Sequence, residues 1–206
     1  MRSYHIAKTT DLAAMELGRV DLYPWGGERR VEMLFKLGHD GEALYVNLLS
    51  YEEKPVAWAT ERNGAVWNDS CMEFFVSPSA DLSAGYFNFE INSFPAMLLH
   101  YGRERGNRAP VDTEKWPTSA FRLACEKGTD PLGRGFWKLS YRIPFAFFED
   151  QAGVKLGSGS VIRANLYRCG SNDQIAHYGV WNEIDTAAHP RPDFHQPAYF
   201  GEMVLE

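Results

Sequence analysis

Between Gly85 and Ser93 the chain alternates with a period of two. Phe87, Phe89 and Ile91 fall on one side, and Tyr86, Asn88, Glu90 and Asn92 on the other. That is the period of an extended strand, whose successive side chains leave opposite faces; a helix cannot gather these residues onto one stripe. The same pattern predicts strands over 31–37 and 43–49, around a turn at His39-Asp40-Gly41, and over 71–76, 96–101, 136–143, 161–169 and 201–205. A further strand is expected over 121–126, and Pro144 opens one helical turn at 145–148. Residues 102–118, polar and charged, read as an irregular loop long enough to suspect function.

About ten short strands without a long helix argue for two antiparallel sheets packed face to face. The expected fold is all-β, a jelly-roll-like two-sheet antiparallel β-sandwich with a few short helical turns, formed by residues 1–206 as a single domain. A chain of 206 residues buries roughly 70% of its unfolded surface, so the core needs neither metal nor disulfide. The net charge of −6, with no run of Lys or Arg, offers no footprint for nucleic acid or an anionic membrane. The first residues lack the apolar core of a secretory signal. The expected location is cytoplasmic if the chain is complete, and secreted or periplasmic if it has been trimmed. Cys71, Cys125 and Cys169 are an odd, widely spaced set and read as buried free thiols.

Chemistry is suggested first by tryptophan. Trp67 and Trp181 each stand beside Asn and an acidic residue in turn-rich sequence, which predicts half-exposed rings suited to stacking on a sugar. Trp25, Trp58, Trp116 and Trp137 read as core or loop anchors. Glu73 and Glu90 interrupt apolar strands, so each must point outward or be paired, with Arg142, Arg163 and Arg168 as candidate partners. His189, Asp193 and His195 superficially resemble a two-His, one-carboxylate metal set in a Pro-rich loop. No nucleophile elbow, dinucleotide fingerprint or phosphate loop is present.

Taken in order, the stretches 66–76, 86–92 and 162–170, followed by Trp181-Asn182, Pro192-Asp193-Phe194-His195 and Phe200-Gly201-Glu202, resemble family 9 carbohydrate-binding modules. The likeness is greatest to stand-alone family-9-like, DOMON-related proteins of polysaccharide-using bacteria. The resemblance implies a β-sandwich that binds a mono- or oligosaccharide without cleaving it, in polysaccharide utilisation. It implies that Trp67 and Trp181 clamp a terminal sugar and that Glu73, six residues after the first ring, accepts its hydroxyls. Asn88, Glu90, Arg168, Asn182 and His177 would complete the polar set. It also implies structural calcium, which no residue pattern places. One rival is a glycan-processing hydrolase with Glu73 and Glu90 as acid and base or nucleophile. Another is a haem-holding sandwich with Met72 or Met97 and His100 as axial ligands.

Overall fold

Asp40 shows how local chemistry shapes this chain: its Oδ1 accepts the backbone N–H groups of Glu42 and Ala43, both at 2.8 Å, and closes the first hairpin. Gly41 supplies the turn's positive φ of 94°. In the computed structural model, which describes residues 1–206, that hairpin joins two of thirteen strands. In chain order they are β1 (Ser3–Ile6), β2 (Gly18–Val20), β3 (Met33–His39), β4 (Ala43–Ser50), β5 (Cys71–Ser77), β6 (Tyr86–Asn92), β7 (Met97–Gly102), β8 (Ala109–Pro110), β9 (Ala124–Thr129), β10 (Gly135–Pro144), β11 (Val161–Gly170), β12 (His177–Val180) and β13 (Gly201–Leu205). One helix, α1 (Phe145–Ala152), follows β10.

The strands make an eight-stranded sheet, β1-β13-β11-β5-β6-β7-β8 with β12 also on β11, and a five-stranded sheet, β2-β3-β4-β10-β9. All pairings are antiparallel except β1 with β13, which run parallel. The β-sandwich expected from the alternation is therefore present. Differences are local. Residues 118–121 form a 3-10 turn that buries Phe121, so the strand there starts only at Ala124. The helix at Pro144 runs to Ala152, with Phe145, Phe147 and Phe148 buried against the sandwich.

The inner faces meet in one core to which β5 gives Met72, Phe74 and Val76, β6 gives Phe87, Phe89 and Ile91, and β11 gives Ile162, Ala164 and Leu166. Each large side chain buried there contributes roughly 1.5–3 kcal/mol. Most of the outer face of the larger sheet is covered. Cys71, Phe75, Tyr86, Leu98, Tyr167 and Cys169 lie beneath Ile184, Phe194 and Phe200 of the segment leading into β13, and form a second apolar cluster. Every residue of β6 is thus buried, including the side that alternation alone marks as polar.

Three residues expected at a ligand site are built into this framework instead. Trp181 is 3% exposed, with its ring edge-on to Phe35 at 5.8 Å. The indole lies so close to Gly201 that an added Cβ would come within 2.4 Å of it. Arg168 follows the inward side of β11 and is wholly buried between the sheets. It donates to Glu52 Oε2 at 2.5 Å, to Ser50 Oγ at 2.9 Å, and to the carbonyl oxygens of Cys71 and Cys169 at 3.1 and 2.7 Å. Asn182 holds chain segments together: its Oδ1 accepts the Arg2 N–H at 2.6 Å and its Nδ2 donates to the Tyr199 carbonyl at 2.7 Å.

Candidate functional site

A cleft opens on the outer face of the larger sheet, where β5, β6 and β7 supply its floor. Glu73 and Glu90 stand directly opposite one another across β5 and β6, and both line the cleft. Both are nearly buried, so each must find partners inside the protein. Cys169 Sγ donates to Glu73 Oε1 at 2.9 Å, and Asn88 Nδ2 donates to Glu90 Oε1 at 2.9 Å. Burial pushes the Glu73 carboxyl well above its ordinary range, reinforced by Cys169 and Glu90 beside it. Burial also raises Glu90, to about 7, against the pull of Asn88, Arg108 and Arg105. The Asn88 side-chain oxygen is buried without a hydrogen-bond partner.

Three walls rise from this floor. Trp67 stands on the first, a 3-10 turn over Val66–Asn68, with its ring 41% exposed and its carbonyl accepting the Ser171 N–H at 2.9 Å. Arg105 and Arg108 come from the 102–118 loop, whose length had marked it. Pro192, Asp193, Phe194 and His195 form the third wall, and Tyr178 of β12 joins them. Arg105 pairs with Asp193 at 2.6 Å and so fastens two walls together. Phe194 stacks on Tyr167 at 4.1 Å and 6°. Burial, with Arg108 and Arg105 nearby, pushes His195 down to about 3, so its ring is neutral and reaches Tyr86 Oη at 3.1 Å. The cleft encloses about 230 Å³, just below the ~300–1,000 Å³ usual for small-molecule sites, and its lining is mixed.

Of the predicted site residues, Trp67, Glu73 and Glu90 meet here, with Asn88 bonded to Glu90 beneath. Trp181, Arg168 and Asn182 do not. His177 is also absent from the lining: it is buried, with Nδ1 2.5 Å from the Ile175 carbonyl and its acidity set by burial, which pushes it down to about 3. Turn-rich neighbours and the family resemblance suggested a site role for Trp181, and the resemblance alone suggested one for Arg168; neither signal says which strand covers a residue. Arg105, Arg108, Tyr178 and His195 were not predicted as ligand contacts. Tyr178 pairs with Cys169 and so shares that residue's face, a relation that only the fold reveals.

The proposed metal and haem sets do not assemble. Met72 and Met97 belong to the inner core, whereas His100 lines the outer cleft, so the sheet itself separates them. His189 packs edge-on to Tyr199 and forms no metal-ligating group with Asp193 and His195. The one cluster of three such side chains is Cys71, Glu73 and Cys169, whose ligand atoms lie within 4.8 Å of one another. Two thiols and one carboxyl suit a soft cation; calcium takes about six to eight oxygens, so this set does not fit it.

The sequence pattern of carbohydrate-binding family 9 matches residues 6–205. Among solved structures, the chain superposes on a candidate carbohydrate-binding protein from Bacteroides uniformis with a TM-score of 0.80 at 27% identity, covering 100% of this chain and 99% of that one. It also superposes on a family 9 carbohydrate-binding module from Caldicellulosiruptor kristjanssonii. The complex with glucose gives a TM-score of 0.65 at 14% identity, covering 100% and 96% of the two chains. The complex with cellotriose gives 0.63 at 14% identity, covering 100% and 94%. None of the curated proteins matches the chain.

Proposed function

The chain belongs to carbohydrate-binding family 9, and from that membership we propose that it binds a sugar without cleaving it, in the cleft walled by Trp67 and floored by Glu73 and Glu90. The observation that carries the reading is an exposed indole held beside two buried, hydrogen-bonding carboxyl groups. A pyranose presents an apolar C–H face to such a ring and hydroxyls to its surroundings. Glu73 and Glu90 accept hydroxyls, with Asn88 holding Glu90 in place, while Arg108, which has no acidic partner, donates. The cleft's volume suits one sugar ring. Its other aromatic side chains are Tyr178 and Phe194, which take the place expected of Trp181. A structural relative that holds glucose and cellotriose supports the same ligand class. The proposed setting of this binding is polysaccharide utilisation.

The direct pairing of Glu73 with Glu90 is the observation that favours the hydrolase alternative. Cross-strand neighbours stand side by side on one floor, whereas glycosidase carboxyls flank the scissile bond from two sides. Neither group is held in a reliably ionised state, and Cys169 occupies Glu73. Binding is the better account. Calorimetry against glucose, xylose and their oligomers should give measurable affinity that drops about tenfold or more in Trp67→Ala, with no turnover of aryl glycosides. Absence of sugar binding, or a variant that binds like wild type, overturns this function.

A further inference from the structure

Trp58 lies outside that cleft and, at 56% exposure, is the most exposed of the Trp, Tyr and Phe residues. Exposed indoles usually sit on mobile loops, but here the backbone on both sides is fastened down. Val56 exchanges two hydrogen bonds with Ser70, its N–H donating to Ser70 Oγ at 2.9 Å and its carbonyl accepting the Ser70 N–H at 2.9 Å. On the other side, Ala59 N–H donates to Asp69 Oδ2 at 3.0 Å and its carbonyl accepts Asn92 Nδ2 at 2.7 Å. The fold therefore fixes the backbone that holds a large apolar ring in water. That costs solvation and brings no core packing, whereas a rigid ring offers a ligand a contact with little ordering entropy to lose.

The ring borders a second, wider depression of about 730 Å³ that it shares with Glu61, Asn68, Asp69, Asn172 and Asp173. Ser171 lines both depressions, and Trp67 and Asn68, consecutive residues of one turn, contribute one to each. The two hollows are thus neighbours on either side of a single turn. Asp69 borders the hollow, and its Oδ1 is buried without a hydrogen-bond partner, an acceptor that the protein itself leaves unpaired at this wall. No Lys or Arg lines it. Amides, carboxylates and one flat ring are the groups that recognise an uncharged polyol, and they disfavour an anionic one.

We infer that Trp58 is the platform of a second sugar subsite, continuous with the Trp67 cleft across the Val66–Asn68 turn, so that the ligand is an uncharged oligosaccharide of at least two linked units. The inference rests on the function proposed above and specifies how long its ligand must be. The test is calorimetry of the full chain with glucose and cellotriose, for wild type, Trp58→Ala and Trp58→Tyr. Cellotriose binds wild type more tightly than glucose. Trp58→Ala lowers cellotriose affinity about tenfold and leaves glucose unchanged, and Trp58→Tyr recovers part of the loss. Because the ring is exposed, the variants keep the wild-type melting temperature. Equal affinity for the two sugars in wild type, an unchanged cellotriose affinity in Trp58→Ala, or an equal loss for both sugars overturns the second subsite alone. If wild type binds neither sugar nor a xylose series, the carbohydrate function fails as well.

Discussion

Trp67 and Trp181 have similar sequence neighbours, yet one ring faces solvent and the other is sealed against Phe35 over Gly201. Turn residues on one side of an indole suggest exposure, but the deciding partner, Gly201, is distant in sequence and opens the slot only once β13 has docked. The two rings should therefore fail differently when removed. Trp181→Ala empties a core site and should cost about 3–5 kcal/mol, on the order of a 10 °C fall in melting temperature, while the remaining folded protein keeps its sugar affinity. Differential scanning calorimetry beside ligand titration checks this; a stable variant that no longer binds would return Trp181 to the site. Glu73 and Glu90 were legible because a charge inside an apolar strand needs a reason. Trp58 was not, since nothing local distinguishes a loop anchor from a displayed ring.

At the level of elements, alternation located the central strands well because burial on one face enforces the period. It also held information that charge obscured. In β11, Arg168 falls on the side of Ile162, Ala164 and Leu166, so the period alone directs it inward. Its partner Glu52 lies in the connection after β4 and could not be identified without the packing of the two sheets. This ion pair is a tie between layers: Glu52 bonds Arg168 at 2.5 Å, Arg29 at 2.7 Å and Trp137 Nε1 at 3.3 Å. Glu52→Ala leaves a buried guanidinium uncompensated and should cost about 3–5 kcal/mol, seen as a lower urea midpoint. Arg168→Met together with Glu52→Leu should recover most of that loss. A double variant no better than Glu52→Ala would show that the tie depends on more than charge. The short strands β1, β2, β8 and β12 went unread because two to four residues carry too little period to detect.

For the molecule as a whole, four buried titratable groups set the pH response. Glu73 and Glu90 are raised by burial, Glu90 to about 7 from an ordinary 4.5, so both contributions to stability are complete below pH 4.5; that of Glu90 is lost as pH rises through 7, and that of Glu73 is lost as its own raised carboxyl ionises. His177 and His195 are pushed from 6.5 to about 3, so theirs is complete above pH 6.5 and is lost as pH falls toward 3. Between pH 4.5 and 6.5 the two pairs oppose one another. Melting temperature should therefore form a plateau in that window, declining on both sides. Glu90→Gln should soften the decline above pH 6.5 and leave the acid limb in place. Thermal melts from pH 3 to 9 test this, and a stability that climbs beyond pH 7 would contradict it.

The parallel pairing of β1 with β13 sets Ser3 beside Glu202 and Ile6 beside Leu205. A contact between strands this far apart in sequence closes a very long loop, and that entropy is recovered only after the intervening sheet has condensed. During synthesis, β1 emerges long before β13, the neighbour it pairs with. Its seam should be the last to zip and the first to fray, which amide hydrogen exchange would register as the least protected ladder of the larger sheet.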